Sequence, residues 1–364
     1  MTQLTLNYAV ISDIHFFNRR TPTAHIVKAL WAWLDMYSKY LYKCNVLFIA
    51  GDTFDRFIPS HYPDIPLVNR FFYTLGKLLK GKNIKLRVLE GTATHDRKQF
   101  YTILPILEAT GVDVKYHTTV CVEDIDGTSV LYVPDNWKTD MHETYLDAQA
   151  AITAIGRTHI DIAIMHGSFE YQLPMMPHVN FCQQDFESIV THRIHVGHVH
   201  LPSHKGKVYA QGSFDRLSHG EPGDKGGHIC IGKQVKRLPN VNEFPYESLY
   251  LPGLLDTDII TLEKHIREKA ELMRYTGWLR LQGNKYHLAF EHLPKLQHMF
   301  PGIKFERQYV TEATVTVDAP NPVVSHLSID SILVSIKEAY PSLPNSAYDY
   351  IHDKLHLAKL PDQP

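Results

Sequence analysis

Short apolar runs, each closing on a polar cluster, alternate with helix-spaced patterns along most of this chain. Residues 4–11 alternate into an apolar run and read as a first strand that closes on Ser12-Asp13-Ile14-His15. Pro22 fits a first helical turn, and Ile26, Ala29, Leu30, Trp33, Leu34, Tyr37 and Leu41 follow helical spacing. Residues 46–49 form the next run and lead into Gly51-Asp52-Thr53-Phe54-Asp55-Arg56. Strand, helix and strand make a βαβ unit, and such units build parallel sheets. The pattern recurs with a helix over 67–79 stopped at Gly81, then a strand over 84–89 that runs into Glu90-Gly91-Thr92-Ala93-Thr94-His95-Asp96-Arg97. A helix is predicted over 99–109 and a strand over 112–116. Asp126-Gly127, between runs at 120–122 and 129–133, marks a hairpin. A helix over 142–155 and a buried strand over 160–165 lead to His166. A polar loop with Pro174 and Pro177 follows, and a short strand over 193–196 ends in Gly197-His198-Val199-His200. Strands at 208–211 and 227–231 flank a glycine-rich excursion.

Past residue 240 the pattern changes. A basic amphipathic helix over 262–273, a strand over 278–281, a helix over 288–300 and a strand over 303–310 suit a small α+β domain. Pro320 and Pro322 mark a boundary. Terminal helices are predicted over 329–340 and 346–357. The expected layout is therefore an α/β core over 1–240, a smaller α+β domain over 241–318 and C-terminal helices over 319–364.

Composition adds bounds. At 364 residues, with 44% apolar and 21% charged content, the chain reads as soluble, globular and of about two domains. The net charge of −2 does not announce nucleic-acid binding, so only local basic patches bear on it. Cys44, Cys121, Cys182 and Cys230 are scattered without a CxxC, which favours free thiols and a reducing compartment. Cys44 and Cys230 adjoin predicted strands, where a thiol acts as a small hydrophobe. The N-terminus lacks the charged and apolar regions of a signal peptide, and no apolar run suits a membrane span. A cytoplasmic setting is expected, in a bacterium or in the host of a virus.

The polar strand ends then matter. Asp13, His15, Asp52, His166, His198 and His200 each lie at or just past the C-terminal end of a predicted strand. Open α/β folds bind ligands on that rim. Asp13 and His15 lie two apart, as do His198 and His200, so on extended backbone each pair shares a side. Any one of these among 23 histidines is more often a core or surface residue, but the ordered set is not. Two carboxylates and four imidazoles exceed one tetrahedral ion and suit two divalent ions sharing Asp52. Two ions about 3.5–4 Å apart can generate a hydroxide and hold both oxygens of an in-line phosphoryl displacement. Mixed N/O ligation favours Mn, Fe or Zn over Mg. His192, His195 and His204 read as supporting or surface residues. The proline-punctuated loop at 57–66 is either a plain connector or a rim of the site.

Taken together, D-x-H, GDxxDR, a block ending in His-Asp, a lone His after a strand, and GHxH resemble the calcineurin-like metallophosphoesterase superfamily over roughly residues 1–235. The resemblance implies a layered core of two sheets between helices. It implies one metal on Asp13, His15, Asp52 and His200, and another on Asp52, His166 and His198 plus an Asn. His95 matches the catalytic histidine, oriented by Asp96. Pro59-Ser60, and Gly212-Ser213 … Gly220-Glu221 … Asp224-Lys225-Gly226, are similar to the SbcD-type DNA repair nucleases. In that branch a small domain caps the site and contacts DNA, and terminal helices bind an SbcC-type coiled-coil ATPase. Arg56, Ser60, His61 and Arg97 become candidate substrate contacts. Lys264, His265, Arg267, Lys269 and Arg274 form either a phosphate-contacting face or a solvated helix face. One departure stands out. The family block reads GNHD, and aligned on His95, Thr94 replaces the Asn ligand; Thr92 could reach in instead if the loop bulges.

The expected function is metal-dependent DNA phosphodiester hydrolysis with two divalent ions, Mn²⁺ first among candidates. The partners would be DNA, an SbcC-type ATPase and, in the case of a homodimer, a second copy. The chain has no G-x-x-x-x-G-K-[ST], so the expected ATPase is not within this sequence. The alternatives are a phosphomonoesterase or small-nucleotide phosphodiesterase on the same core, and a metal-poor scaffold that binds DNA or an ATPase without cutting.

Overall fold

Period-two alternation decides which way each strand faces, and the computed structural model, which describes residues 6–135, 140–172, 180–221, 223–251 and 259–309, follows it. In chain order the strands are β1 (Tyr8–Ile11), β2 (Val46–Ala50), β3 (Lys85–Leu89), β4 (Val114–His117), β5 (Cys121–Ile125), β6 (Thr128–Val133), β7 (Ile160–His166) and β8 (Val190–Gly197). There follow β9 (Ser203–Lys205), β10 (Val208–Ala210), β11 (Gly226–Ile231), β12 (Gln234–Pro239), β13 (Tyr246–Tyr250), β14 (Gly277–Gly283) and β15 (Ile303–Tyr309). Two six-stranded mixed sheets result, ordered β12-β11-β1-β2-β3-β4 and β5-β6-β7-β8-β10-β9. In the first, β1 to β4 are parallel and β11 and β12 run antiparallel. In the second, β6, β7, β8 and β10 are parallel between antiparallel edges.

Tyr8 and Val10 of β1, with Val46, Phe48 and Ala50 of β2, face the second sheet and pack on Val130, Tyr132, Ile162 and Ile164. Their neighbours Ala9, Ile11, Leu47 and Ile49 face outward, into a core shared with helices Thr23–Met36 and Ile65–Gly81. On the far side, Leu131, Val133, Ala163 and Met165 pack with residues of helices Met141–Ala154 and Gln183–Ile189. The layers are helix, sheet, sheet, helix. Trp33, 2% exposed, closes the outer core, and its Nε1 donates to Leu238 O at 2.9 Å, as a buried indole requires. The four cysteines are free, with Cys44 and Cys230 buried in apolar clusters.

A third sheet, β13-β14-β15, is parallel throughout. With helices Ile259–Leu272, Leu288–Glu291 and Leu293–Met299 it buries Leu262, Ile266, Leu279, Leu281 and Ile303. It lies within one compact unit, Met1–Tyr309. Trp278 Nε1 donates to Arg20 O at 3.0 Å, and Arg20 pairs with Glu306 at 2.9 Å, fixing this sheet beside the loop that follows His15. The helices predicted over 329–340 and 346–357 lie outside the described residues. Among the described residues no helix is long and apolar enough to cross a membrane.

Prolines and short lengths account for the departures from the predicted elements. Pro294 starts a new helix, so the single helix predicted over 288–300 is two. Pro105 likewise opens Leu104–Glu108 after a 3₁₀ turn at Gln99–Thr102. Helix Gln183–Ile189 was expected as loop; it buries only Phe186 and Ile189, too little for a periodic signal. His195, expected as a supporting or surface residue, is fully buried, with Nε2 3.1 Å from the Tyr8 hydroxyl.

Candidate metal centre

The parallel strands β1, β2, β7 and β8 end on one rim, where α/β sheets place ligand sites. Asp13, His15, Asp52 and His198 there adopt left-handed backbone, with φ of 51°, 52°, 48° and 96°. Such strain, of order 1–3 kcal/mol each, persists only where neighbours impose it. Asp13 N donates to Gly51 O and His15 N to Asp52 O, both at 3.1 Å. The His198 N–H donates to both Asp13 oxygens, at 2.9 and 3.1 Å. Glycines make the space. A Cβ on Gly51 or Gly197 would run into the His166 ring, and one on Gly91 into Asp52.

The side chains converge. His15 Nε2 and His200 Nε2 are 3.2 Å apart, and Asp13 Oδ1 lies 4.0 and 3.8 Å from them. Asp52 Oδ2 is 3.6 Å from His15 Nε2, 3.3 Å from His166 Nε2 and 2.9 Å from His95 Nδ1. Thr92 Oγ1 lies 3.3 Å from Asp52 Oδ2, 3.4 Å from His166 Nε2 and 3.3 Å from His198 Nδ1. Three groups could hold a cation: Asp13, His15 and His200; His15, Asp52 and His95; and Asp52, His166 and His198. Within each, the ligand atoms lie within 4.8 Å of one another.

The outer ring nitrogens decide whether the inner ones can ligate. His166 Nδ1 donates to Ala50 O at 2.8 Å and His200 Nδ1 to Glu221 Oε1 at 2.9 Å. His15 Nδ1 lies 3.4 Å from Asp55 Oδ1. A proton on each outer nitrogen leaves a lone pair on the inner one. Two such lone pairs then face each other between His15 and His200, and only a proton or a cation satisfies both. The donor set fits a divalent ion that accepts mixed N/O ligands.

Charge reinforces this. Burial alone would push Asp52 up, but His166, His95 and His15 outweigh it and hold the carboxyl well below its ordinary range. Burial disfavours a charged His166, yet Asp52 lifts it to about 10. The hydrogen bond to Asp52 raises His95. Burial, with a charged His166 beside it, lowers His198. The site gathers positive charge at Asp52, so protons and a metal compete for one place.

Two sequence expectations need correction. Thr94 is exposed; Thr92, 3% exposed, meets Asp52 and the two imidazoles instead. Asp96 does not orient His95. Its oxygens accept from Phe54 N and Gly91 N, both at 2.8 Å, so it ties two loop backbones together. Arg56 lies against Tyr62, and Ser60, His61 and Arg97 are exposed. Among the described residues no hydrogen bond joins these four to the cluster. Glu221, which holds the outer nitrogen of His200, and Asp55, which lies 3.4 Å from that of His15, went unassigned as supports. Their signal was present in the Asp of GDTFDR and in the glycine-rich excursion.

No family model matches the chain. No curated protein matches it. Among the solved structures that match, one crystal structure aligns at 10% identity and a TM-score of 0.40, over 65% of this chain and 100% of its own, a likeness too slight to bear on function.

Proposed function

We propose that the chain is a metal-dependent phosphodiesterase of the calcineurin-like type that cuts DNA as the nuclease subunit of an SbcCD-like complex. The observation that carries the chemistry is the position of Asp52 Oδ2, between His15, His95 and His166 and shared by two ligand groups. Asp13, His15, Asp52 and His200 would hold one cation. Asp52, His166 and His198, with the Thr92 hydroxyl, would hold the other. Two divalent ions, Mn²⁺ or else Fe²⁺ or Zn²⁺, would supply Lewis-acid charge and an acidified water for in-line attack at phosphorus.

The remaining steps belong to the chain's own groups. Asp52 would supply negative charge to both cation sites. The His95 side chain is 35% exposed on the open side, and Asp52 favours its protonated form, so it can give a proton to the departing oxygen. Asp96 and Gln99 keep the loop beneath His95 in place: Gln99 Nε2 donates to His95 O at 3.3 Å and to Arg56 O at 2.9 Å.

The DNA assignment rests on the motif resemblance and on the small sheet fixed beside the rim. Exposed Lys264, His265 and Arg274 are candidate phosphate contacts, and salt-sensitive binding would follow. Lys269 is engaged by Glu247 at 2.9 Å, and Arg267 lies over Phe300, so these two contribute less. The SbcC-type ATPase, and pairing with a second copy, belong to the same proposal.

End-labelled duplex DNA with Mn²⁺, with and without the candidate ATPase, tests it. Cleavage should disappear with EDTA and fall at least about 100-fold in His95→Ala, the usual scale of a lost general acid. Intact DNA alongside rapid hydrolysis of an aryl phosphate would instead favour a small-substrate phosphatase. A purified protein that takes up no metal would leave only the scaffold reading.

A further inference from the structure

The two proposed cation sites are supported differently. His166 is held by core backbone, through Ala50 O. His200 is held by a side chain from the glycine-rich segment 212–226. Glu221, 9% exposed, accepts from His200 Nδ1 through Oε1. Its other oxygen accepts from Lys225 Nζ and Leu217 N, both at 3.1 Å, and from Ser213 Oγ at 3.3 Å. Lys225 is itself 1% exposed, and its ammonium also donates to His200 O at 3.0 Å. One buried cation therefore grips the backbone of His200 and the carboxylate that aims its ring.

The same segment is anchored on the small sheet. Arg216 donates to Glu221 O at 3.3 Å and to Tyr246 O at 3.1 Å. The Tyr246 hydroxyl donates to Leu217 O at 2.9 Å. His219 Nε2 donates to Glu247 O at 3.0 Å, and its Nδ1 lies 3.2 Å from Glu306.

We infer that Glu221 is the positioning residue of the cation site built on Asp13, His15 and His200. It fixes the His200 tautomer so that Nε2 presents its lone pair, and it joins that ligand to the small sheet. The inference rests on the metal-centre reading above but not on any particular substrate. It makes the two sites unequal: loss of Glu221 weakens one ion and spares the other, whose ligands make no hydrogen bond with the described residues of this segment.

Glu221→Gln alone would strand the Lys225 charge in the core and confuse loss of metal with loss of fold. The informative variant is therefore Glu221→Gln/Lys225→Met, with Glu221→Gln and Glu221→Asp beside it. Mn²⁺ binding to the full chain is followed by calorimetry and by electron paramagnetic resonance, together with thermal unfolding in EDTA. The double variant should unfold near the wild-type temperature, and one of two Mn²⁺ sites should weaken about 10–100-fold, the usual effect of removing a carboxylate behind a ligating histidine. The other site should stay within about twofold of wild type, well under the tenfold that corresponds to about 1.4 kcal/mol. Unchanged affinity at both sites, or an equal loss at both, overturns the inference and leaves the phosphodiesterase reading intact. A wild type that binds no Mn²⁺ overturns both. A wild type that binds two ions unequally affected by the substitution, yet hydrolyses no phosphodiester, upholds this inference and removes that function.

Discussion

Thr92 is where one residue would decide how well the proposed centre holds an ion. Its amide donates to Asp52 Oδ1 at 2.6 Å while its hydroxyl faces Asp52, His166 and His198. Thr92→Ala keeps the amide and removes the oxygen. It should weaken one Mn²⁺ site about tenfold, near 1.4 kcal/mol, and lower metal-dependent cleavage in step. Thr94→Ala, on the exposed side of the same turn, should change neither quantity. A metal titration of the two variants separates them, and the reverse order would put the oxygen ligand back at Thr94. The aspartates and histidines of the site were legible because each closes an apolar run. Thr92 was legible only as the alternative to Thr94, because alignment on His95 treats the loop as extended. The chain turns there instead: His95 N and Asp96 N both bond to Thr92 O, at 2.8 and 3.0 Å. That turn folds Thr92 back under His95 and leaves Thr94 outside.

At the level of the elements, three strand-end loops must pack without gaps for the carboxylates and imidazoles to meet. Phe16 N donates to Thr53 O at 2.9 Å, Asp55 N to Phe16 O at 3.0 Å, and Asp96 bridges Phe54 to Gly91. Gly91 is a tight point that a flexible side chain cannot relieve, since a Cβ there meets the backbone nitrogen and carboxylate of Asp52. Neither can step aside, because Asp52 already holds a left-handed φ of 48°. Gly91→Ala should therefore cost about 1–3 kcal/mol as overpacking and abolish Mn²⁺ uptake by moving Asp52. Gly81, at the end of a helix with open space around it, is the control: Gly81→Ala should be neutral or stabilise by about 0.5–1 kcal/mol. Urea unfolding and metal binding on the pair test this, and a Gly91→Ala protein with normal metal affinity would mean that Asp52 is less constrained than its packing implies. The buried parallel strands were legible as continuous apolar runs. The edge strands β9 and β12 were not. In β12, partly buried Val235 and Arg237 alternate with exposed Gln234 and Lys236, and only its pairing with β11 makes it a strand.

Across the whole molecule the two sheets share an apolar interior, and their open edges are joined by charge. Arg87 on β3, 2% exposed, donates to both oxygens of Glu123 on β5 in the facing sheet, through Nε at 3.1 and 2.9 Å and through Nη2 at 2.9 Å. Lys115 on β4 adds a bond at 2.8 Å, and the His117 ring, 3.5 Å from Glu123 Oε2, stacks on Tyr132 of the second sheet at 3.7 Å. No periodicity flags such a clamp, because its members come from different strands and meet only when the sheets close. Burial by itself would raise Glu123, but His117, Arg87 and Lys115 outweigh it and hold the carboxyl far below the ordinary range. The sign of the pH dependence follows. A carboxyl depressed in the folded state contributes its stability above the unfolded value of about 4.3 and loses it as pH falls towards the folded value. Glu123→Gln should therefore cost about 3 kcal/mol at pH 7, the low end for breaking a buried pair, because Asp113 still holds Arg87 at 2.9 Å. Lys115→Met should cost less than about 1 kcal/mol, since that side chain is 54% exposed and its bond is screened. Urea unfolding of wild type and Glu123→Gln at pH 7, 5 and 3 provides the measurement. The gap should stay nearly constant from pH 7 to 5 and narrow by pH 3, because there the unfolded wild type takes up a proton at Glu123 that the depressed carboxyl of the folded state does not. A gap that persists undiminished at pH 3 would mean that shape, rather than the Glu123 charge, joins the sheets.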